Sequence, residues 1–191
     1  MRTLLRILLA AIVVHPAVAE NRSEEQVKLQ RAEAVLKASL EAPDQGIPKE
    51  ALEKAECVGV FPDVKKGAFI VGGQETDLVL LVVNEGGMNH LLKDRFTLGA
   101  EATATAGPVG RTLKAATDAQ LQAQILSWSR SQGAFVGAAL DGSVLTPDVD
   151  ANERIYGKGA TAKAILLEHT MSPPPVATAY LKVLNAGAKR G

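Results

Sequence analysis

Residues Phe96 to Ala106 read F-T-L-G-A-E-A-T-A-T-A, and this alternation limits what the chain can fold into. Phe96, Leu98, Ala100, Ala102, Ala104 and Ala106 fall on one side, and Thr97, Gly99, Glu101, Thr103 and Thr105 on the other. Successive side chains of a strand face opposite sides of its sheet, so the pattern predicts one long strand with a dry and a wet face. An antiparallel sheet with one solvated surface is the architecture that produces it.

Other strands are expected where apolar runs are short and rich in Val, Ile and Leu: Cys57–Phe61, Ala68–Val71 and Leu78–Val83. Pro62 to Gly67 makes the first connection and carries the adjacent cations Lys65 and Lys66. Gln122–Ser129 and Ala134–Leu140 read as a hairpin around Ser131-Gln132-Gly133, preceded by a polar, loop-like stretch from Thr112 to Gln120. Helices are expected at both ends. In Arg22–Ala42, Leu29, Ala32, Leu36 and Leu40 follow helical spacing, widened by Val35. A short helix follows Pro48, and another lies within Asn84–Arg95. Asp150 with Glu153 fits a capping box for a turn reaching Tyr156, Thr161 can cap Ala162–Glu168, and the prolines at 173–175 precede a final helix through Asn185. The fold class is therefore α+β, a mainly antiparallel sheet with N-terminal and C-terminal helices packed on it.

The first residues have the form of a secretory signal: Arg2 and Arg6, an apolar core from Ile7 to Val14, and the small-residue site Ala17-Val18-Ala19. A membrane anchor needs about 20 apolar residues, more than this run supplies. Residues 1–19 are thus expected to be removed, leaving a single domain over 20–191 in the periplasm, with no cysteine at the new N-terminus to take a lipid. Charge is balanced, with 21 Lys+Arg against 21 Asp+Glu, which gives no general attraction to nucleic acid. Aromatic residues make up 4%, too few to stack a single strand of bases. Cys57 is alone, so disulfides and cysteine metal clusters are excluded, and its apolar neighbours make it a buried small hydrophobe.

Catalytic signatures are weak. His90 and His169 stand far apart with no ligand spacing, and no metal or cofactor is expected. Asp141, Asp148 and Asp150 bracket a proline-containing loop without calcium-loop spacing and read as solvated turn residues. Glu101 has only Thr and Gly as strand neighbours, with no base or orienting partner. Gly72-Gly73 reads as a turn, the alternative being a close approach of backbone to a ligand. Trp128, in a strand, reads as core. Lys65, Lys66, Lys93, Arg95, Arg111 and Arg130 would make an anionic-headgroup site if the fold gathered them, and are solubility charges if it does not.

Several passages together resemble the SYLF domain, or Ysc84 family: A-E-C-V-G-V-F-P-D-V-K-K-G-A-F-I-V-G-G (55–73), T-D-L-V-L-L-V-V-N (76–84), L-L-K-D-R-F-T-L-G-A-E-A (91–102), A-G-P-V-G-R (106–111) and the helix-rich close around Asn152 to Leu167. The resemblance implies a mixed α/β fold and binding of phospholipids, notably phosphoinositides, coupled in eukaryotic members to actin assembly and membrane remodelling. It brings no enzymatic activity. Family members usually carry a further strand-containing segment where Gly73 here runs directly into Gln74. Losing those strands would expose sheet edges.

The expectation is a non-enzymatic, exported domain that binds phospholipid or another anionic amphiphile. Lys65, Lys66 and Arg111 would hold the headgroup first, and apolar strand faces would cover part of the acyl region. The alternative is a structural or interaction module of the cell envelope, pairing through exposed sheet edges as a homo-oligomer or with an envelope protein.

Overall fold

The computed structural model describes residues 16–42, 46–64, 76–99, 104–108, 116–131, 134–138 and 142–188. The described residues begin with helix α1, Pro16–Glu41, and the short helix α2, Lys49–Lys54. Strands β1 (Cys57–Val64) and β2 (Thr76–Val82) follow, then helix α3 (Glu85–Leu91) and strands β3 (Phe96–Thr97) and β4 (Ala104–Ala106). Helix α4 (Asp118–Gln122) leads into strands β5 (Ile125–Ser131), β6 (Ala134–Gly137) and β7 (Val144–Leu145). The C-terminal part holds helices α5 (Val149–Tyr156), α6 (Ala162–Leu166) and, after a 3-10 turn at Pro175–Ala177, α7 (Thr178–Gly187). This is the α+β fold expected, with helices at both ends.

The main sheet runs β1-β2-β5, with β1–β2 and β2–β5 antiparallel. Two strands then share the far edge of β5. Its first half pairs with β4 in parallel, Ala104 opposite Ile125 through Ala106 opposite Ser127. Its second half pairs antiparallel with β6, Trp128 opposite Gly137 through Ser131 opposite Ala134. Ser127 sits at the handover: its carbonyl accepts from the Gly107 and Ala138 amides at 2.8 and 3.0 Å. A second, two-stranded sheet joins β3 to β7.

β2 shows why the sheet is central. Val79 and Leu81 face a core shared with Val35 of α1, Ala51 and Leu52 of α2, Trp128 and Phe135. Leu78, Leu80 and Val82 face the opposite core, with Met88 of α3, Phe96, Leu98 and Ile125. Each of these five β2 side chains is at most 3% exposed, and full burial of such a group stabilises by about 1.5–3 kcal/mol. The expectation of one solvated face is thus corrected. Helices cover one side of β2 and β5, while α3 and the small sheet cover the other.

The long strand expected over Phe96–Ala106 is also corrected. Phe96 and Leu98 do turn inward, at 1% and 0% exposure, and Ala104 packs on the same core. Between them Gly99 adopts φ +85°, a left-handed conformation that ends the extended run. Its two ends therefore belong to different sheets. Residues 100–103 lie outside the described residues, as do the expected strand Ala68–Val71 and the turns at Gly72-Gly73 and Gln132-Gly133.

Local capping also departs from expectation in two places. The stretch read as loop-like before Gln120 contains α4, started by a full capping box: Gln120 N–H donates to Thr117 Oγ1, and Thr117 N–H donates to Gln120 Oε1. For α5 the cap is Asp148, which accepts from the Ala151 amide at 2.9 Å. Glu153 instead accepts from the Gly159 amide. Thr161 caps α6 as expected, accepting from Ala164 N–H at 3.1 Å.

Candidate ligand-binding site

The end of the sheet where β1 stops and β2 begins carries a chain of charged contacts. Register places Asp77 of β2 directly opposite Arg130 of β5. Their side chains pair at 3.5 Å, Arg130 30% exposed and Asp77 20%. The other Asp77 oxygen accepts from the backbone amide of Asp63 at 3.2 Å. Asp63 itself pairs with Arg31, which α1 brings across β1. The Arg130 guanidinium lies 5.6 Å from the centroid of Phe135 on β6, within cation–π range.

The backbone adapts to this cluster. Asp63 adopts φ +54°, and the β1–β2 register shifts between Phe61 and Val64. Pro62, which has no amide hydrogen, falls inside the irregular stretch, where a ladder bond is lost anyway. Two carboxylates thus hold two arginines at a site flanked by an aromatic ring.

Of the six cations singled out from the sequence, Arg130 alone is part of this described cluster. Lys65 and Lys66 follow Val64, the last described residue of β1, and lie outside the described residues, as does Arg111. Lys93 and Arg95 are exposed on the connection from α3 to β3, which leaves the opposite end of β2. Arg31 was missed, because it sits among the balanced charges of a helix and only tertiary packing pairs it with Asp63.

Other candidates have structural settings. Trp128 is fully buried and its indole N–H donates to the Pro108 carbonyl at 3.0 Å. Pro108 also lines a cleft of about 270 Å³ with Lys54, Asn84 and Gln120. Cys57 packs on the second core, and burial pushes its thiol up to about 11. Asp148 is a helix cap and Asp150 lies in the first turn of α5, while Asp141 and Glu101 lie outside the described residues. His90 lies in the last turn of α3 and His169 is exposed at φ +50°. Among the described residues, no three His, Cys, Asp or Glu side chains gather into a metal-binding group, and no helix is long and apolar enough to cross a membrane.

Residues 65–187 match the family described as Ysc84, Las17-binding protein actin regulator. LAS seventeen-binding protein 3 of Saccharomyces cerevisiae is 32% identical over 122 residues, covering 62% of this chain and 26% of the yeast protein. An SH3 domain-containing protein of Schizosaccharomyces pombe is 33% identical over 119 residues, 61% of this chain and 27% of its own. SH3 domain-containing YSC84-like protein 1 of Homo sapiens is 29% identical over 115 residues, 60% of this chain and 34% of the human protein. The chain therefore aligns with about a quarter to a third of the length of these relatives. No solved structure matches. A family match over residues 65–187, more than half of the chain, places it in the Ysc84 (SYLF) family.

Proposed function

We propose that the protein is an exported, non-enzymatic domain that binds anionic phospholipid surfaces through the charged end of its main sheet, with Lys65 and Lys66 supplying the excess positive charge. The observation that carries this reading is the convergence at one end of β1 and β2. Arg31 and Arg130 are held there by Asp63 and Asp77, and Lys65-Lys66 follow the last described residue of β1 in sequence. Near an anionic membrane each Lys or Arg contributes about 1 kcal/mol, so a few cations on one edge give reversible, salt-sensitive attachment. Membership of the Ysc84 family supports a binding role over a catalytic one. The signal-like residues 1–19 support export to the periplasm.

The test is co-sedimentation of the chain lacking residues 1–19 with vesicles of phosphatidylcholine alone or with added phosphatidylglycerol. Binding is expected to require the anionic lipid, to weaken with salt, and to fall about tenfold or more in the Lys65→Ala/Lys66→Ala variant. Equal weak binding to both vesicle types, unchanged in that variant, would rule the reading out.

A second reading rests on a separate observation. Among the described residues β1 has a strand neighbour on one side alone, β2, and every one of its residues remains half-buried. Such an edge can take a strand from a second copy or from an envelope protein. Matched relatives include one named for binding LAS seventeen, which is consistent with protein partners for this family. Concentration-dependent mass in solution would favour this reading, and a strict monomer would count against it.

A further inference from the structure

The cleft at Pro108 opens where β2 runs out into Val83 and Asn84, between α2 and α4, with a volume of about 270 Å³. Asp77 lies near the start of β2 and Val83 just past its end, so at about 3.4 Å per residue about 20 Å separates this cleft from the charged sheet end. Its floor is apolar and made largely of small side chains. Ala51 and Ala123 are 1% exposed and Leu126 is 4% exposed, with half-buried Ala116 beside them.

Three polar side chains line the cleft, exposed Lys54 and half-buried Asn84 and Gln120, and among the described residues no Asp or Glu does. Both amides are oriented by bonds of their own. Asn84 Oδ1 accepts from the Gly87 amide at 2.9 Å, which turns Nδ2 the other way, where it donates one hydrogen to the Ala123 carbonyl at 3.4 Å. Gln120 Oε1 accepts from the Thr117 amide at 2.9 Å, and its Nε2 donates one hydrogen to the Ala106 carbonyl at 2.8 Å. A primary amide carries two N–H groups, so each keeps a second one without a protein acceptor among the described residues. On α2, Glu53 pairs with Lys49 at 3.6 Å, while Lys54 forms no ion pair among the described residues.

The lining therefore offers donors and one positive charge above an apolar floor. A carboxylate accepts from several donors at once, and an apolar body attached to it would cover Ala51, Ala123 and Leu126. A cationic ligand would meet no acid here, and a bare inorganic anion would leave the floor uncovered. At about 30 Å³ per heavy atom the cleft holds about nine atoms, the size of benzoate and far short of a lipid acyl chain.

We propose that this cleft binds a small monocarboxylic acid with a compact aromatic or branched body, its carboxylate between Lys54 and the amides of Asn84 and Gln120 and its body on Ala51, Ala123 and Leu126. The site does not rest on the membrane-surface reading. Pro108 forms one wall, and its carbonyl accepts from the Trp128 indole at 3.0 Å, so the sole tryptophan reports on the cleft.

The experiment is titration of isotope-labelled protein with sodium benzoate, read by the side-chain amide resonances of Asn84 and Gln120 and by Trp128 emission. Benzamide serves as the neutral isostere and sodium phosphate as the anion without an apolar body. Saturation with a dissociation constant of about 1 mM or tighter is expected for a ligand this small. Benzamide should bind about tenfold more weakly or worse, and phosphate should give no saturable shift. Lys54→Gln, at an exposed position, is expected to weaken benzoate about fivefold. Gln120→Glu keeps an oxygen for the Thr117 amide, since Glu serves a capping box as Gln does, but replaces the second donor with a negative charge. Binding should then be lost with the urea midpoint close to that of the parent. Ala116→Leu fills the cleft from a half-buried position and abolishes binding; with Lys54→Gln it carries the test if Gln120→Glu does not fold. No shift of the two side-chain amides, equal binding of benzamide, a saturable response to phosphate, or unchanged benzoate affinity in Lys54→Gln would overturn the proposal. Vesicle co-sedimentation should be unchanged by benzoate, which separates this test from that of the sheet end.

Discussion

Replacing Gly107 with alanine tests the packing at the fork where β4 and β6 share β5. A Cβ at Gly107 would stand 2.6 Å from Cδ2 of the Trp128 ring and closer still to Cε2 and Cζ2. Carbon atoms sit comfortably at about 3.5–4.0 Å, so the ring or the strand must move by about 1.5 Å. The ring has little freedom: it is fully buried in the core with Val79, Leu81 and Phe135, and its N–H is bonded to Pro108. Overpacking of this kind costs about 1–3 kcal/mol, and the upper half of that range is expected here. In a chain of this size that lowers the melting temperature by about 4–12 °C. The sign decides the matter, because Gly107 has no left-handed φ. Without the clash, alanine would stabilise by about 0.4–1 kcal/mol through the unfolded chain. Urea unfolding followed by circular dichroism and by fluorescence, for which Trp128 is the sole tryptophan, reads both stability and the ring's surroundings. A neutral or stabilising Gly107→Ala with unchanged emission would refute the packing argument.

Gly137→Ala meets the same fork, its Cβ 2.5 Å from the Gly107 carbonyl oxygen, so the double variant should cost measurably less than the sum of the singles in the same urea assay. Stability should also fall in alkali. The folded Cys57 thiol holds its proton to about 11 while the unfolded thiol releases it near 9.0, so the unfolded state binds fewer protons in that window. Unfolding free energy is expected to drop by on the order of 2 kcal/mol between pH 9 and 11, and Cys57→Ala to flatten that decline; Tyr180, raised to about 12, adds a further loss above pH 10. Thr117→Ala removes the capping box of α4 and should cost about 1 kcal/mol by chemical denaturation, with no larger effect than Thr161→Ala at α6. Asp77→Asn removes a carboxylate from the charged sheet end, and binding to anionic vesicles should tighten about fivefold, read by co-sedimentation.

Much of the fold was legible because local pattern and tertiary setting agree. The apolar run Leu78–Val83 reads as a strand, and β2, Thr76–Val82, is that strand, though its cover on both faces became visible only in the packing. The hairpin of β5 and β6 follows its turn residues, and Thr161 caps α6 through local chemistry. Phe96–Ala106 misleads for a physical reason: a period of two records alternate burial, not membership of one sheet. Phe96 and Ala104 face the same core from different sheets, and the break depends on the φ of Gly99. Glu25 was equally hidden. It is buried within α1 because Arg154 of α5, far along the chain, reaches it at 2.8 Å. The candidate site divides the same way. Paired lysines at 65 and 66 are visible in sequence, whereas Arg31–Asp63 and Asp77–Arg130 arise from helix packing and strand register. The cleft at Pro108 needs α2, the end of β2 and α4, far apart in the chain, to converge.

The claim that this domain works by attachment to anionic membrane surfaces is tested most directly by the fraction bound to phosphatidylglycerol-containing vesicles as salt is raised, for the parent chain and for Lys65→Ala/Lys66→Ala. Strong binding at low salt that falls steeply with ionic strength is expected, with the variant displaced to weaker binding at every salt concentration. Binding that ignores both salt and the two lysines would contradict it.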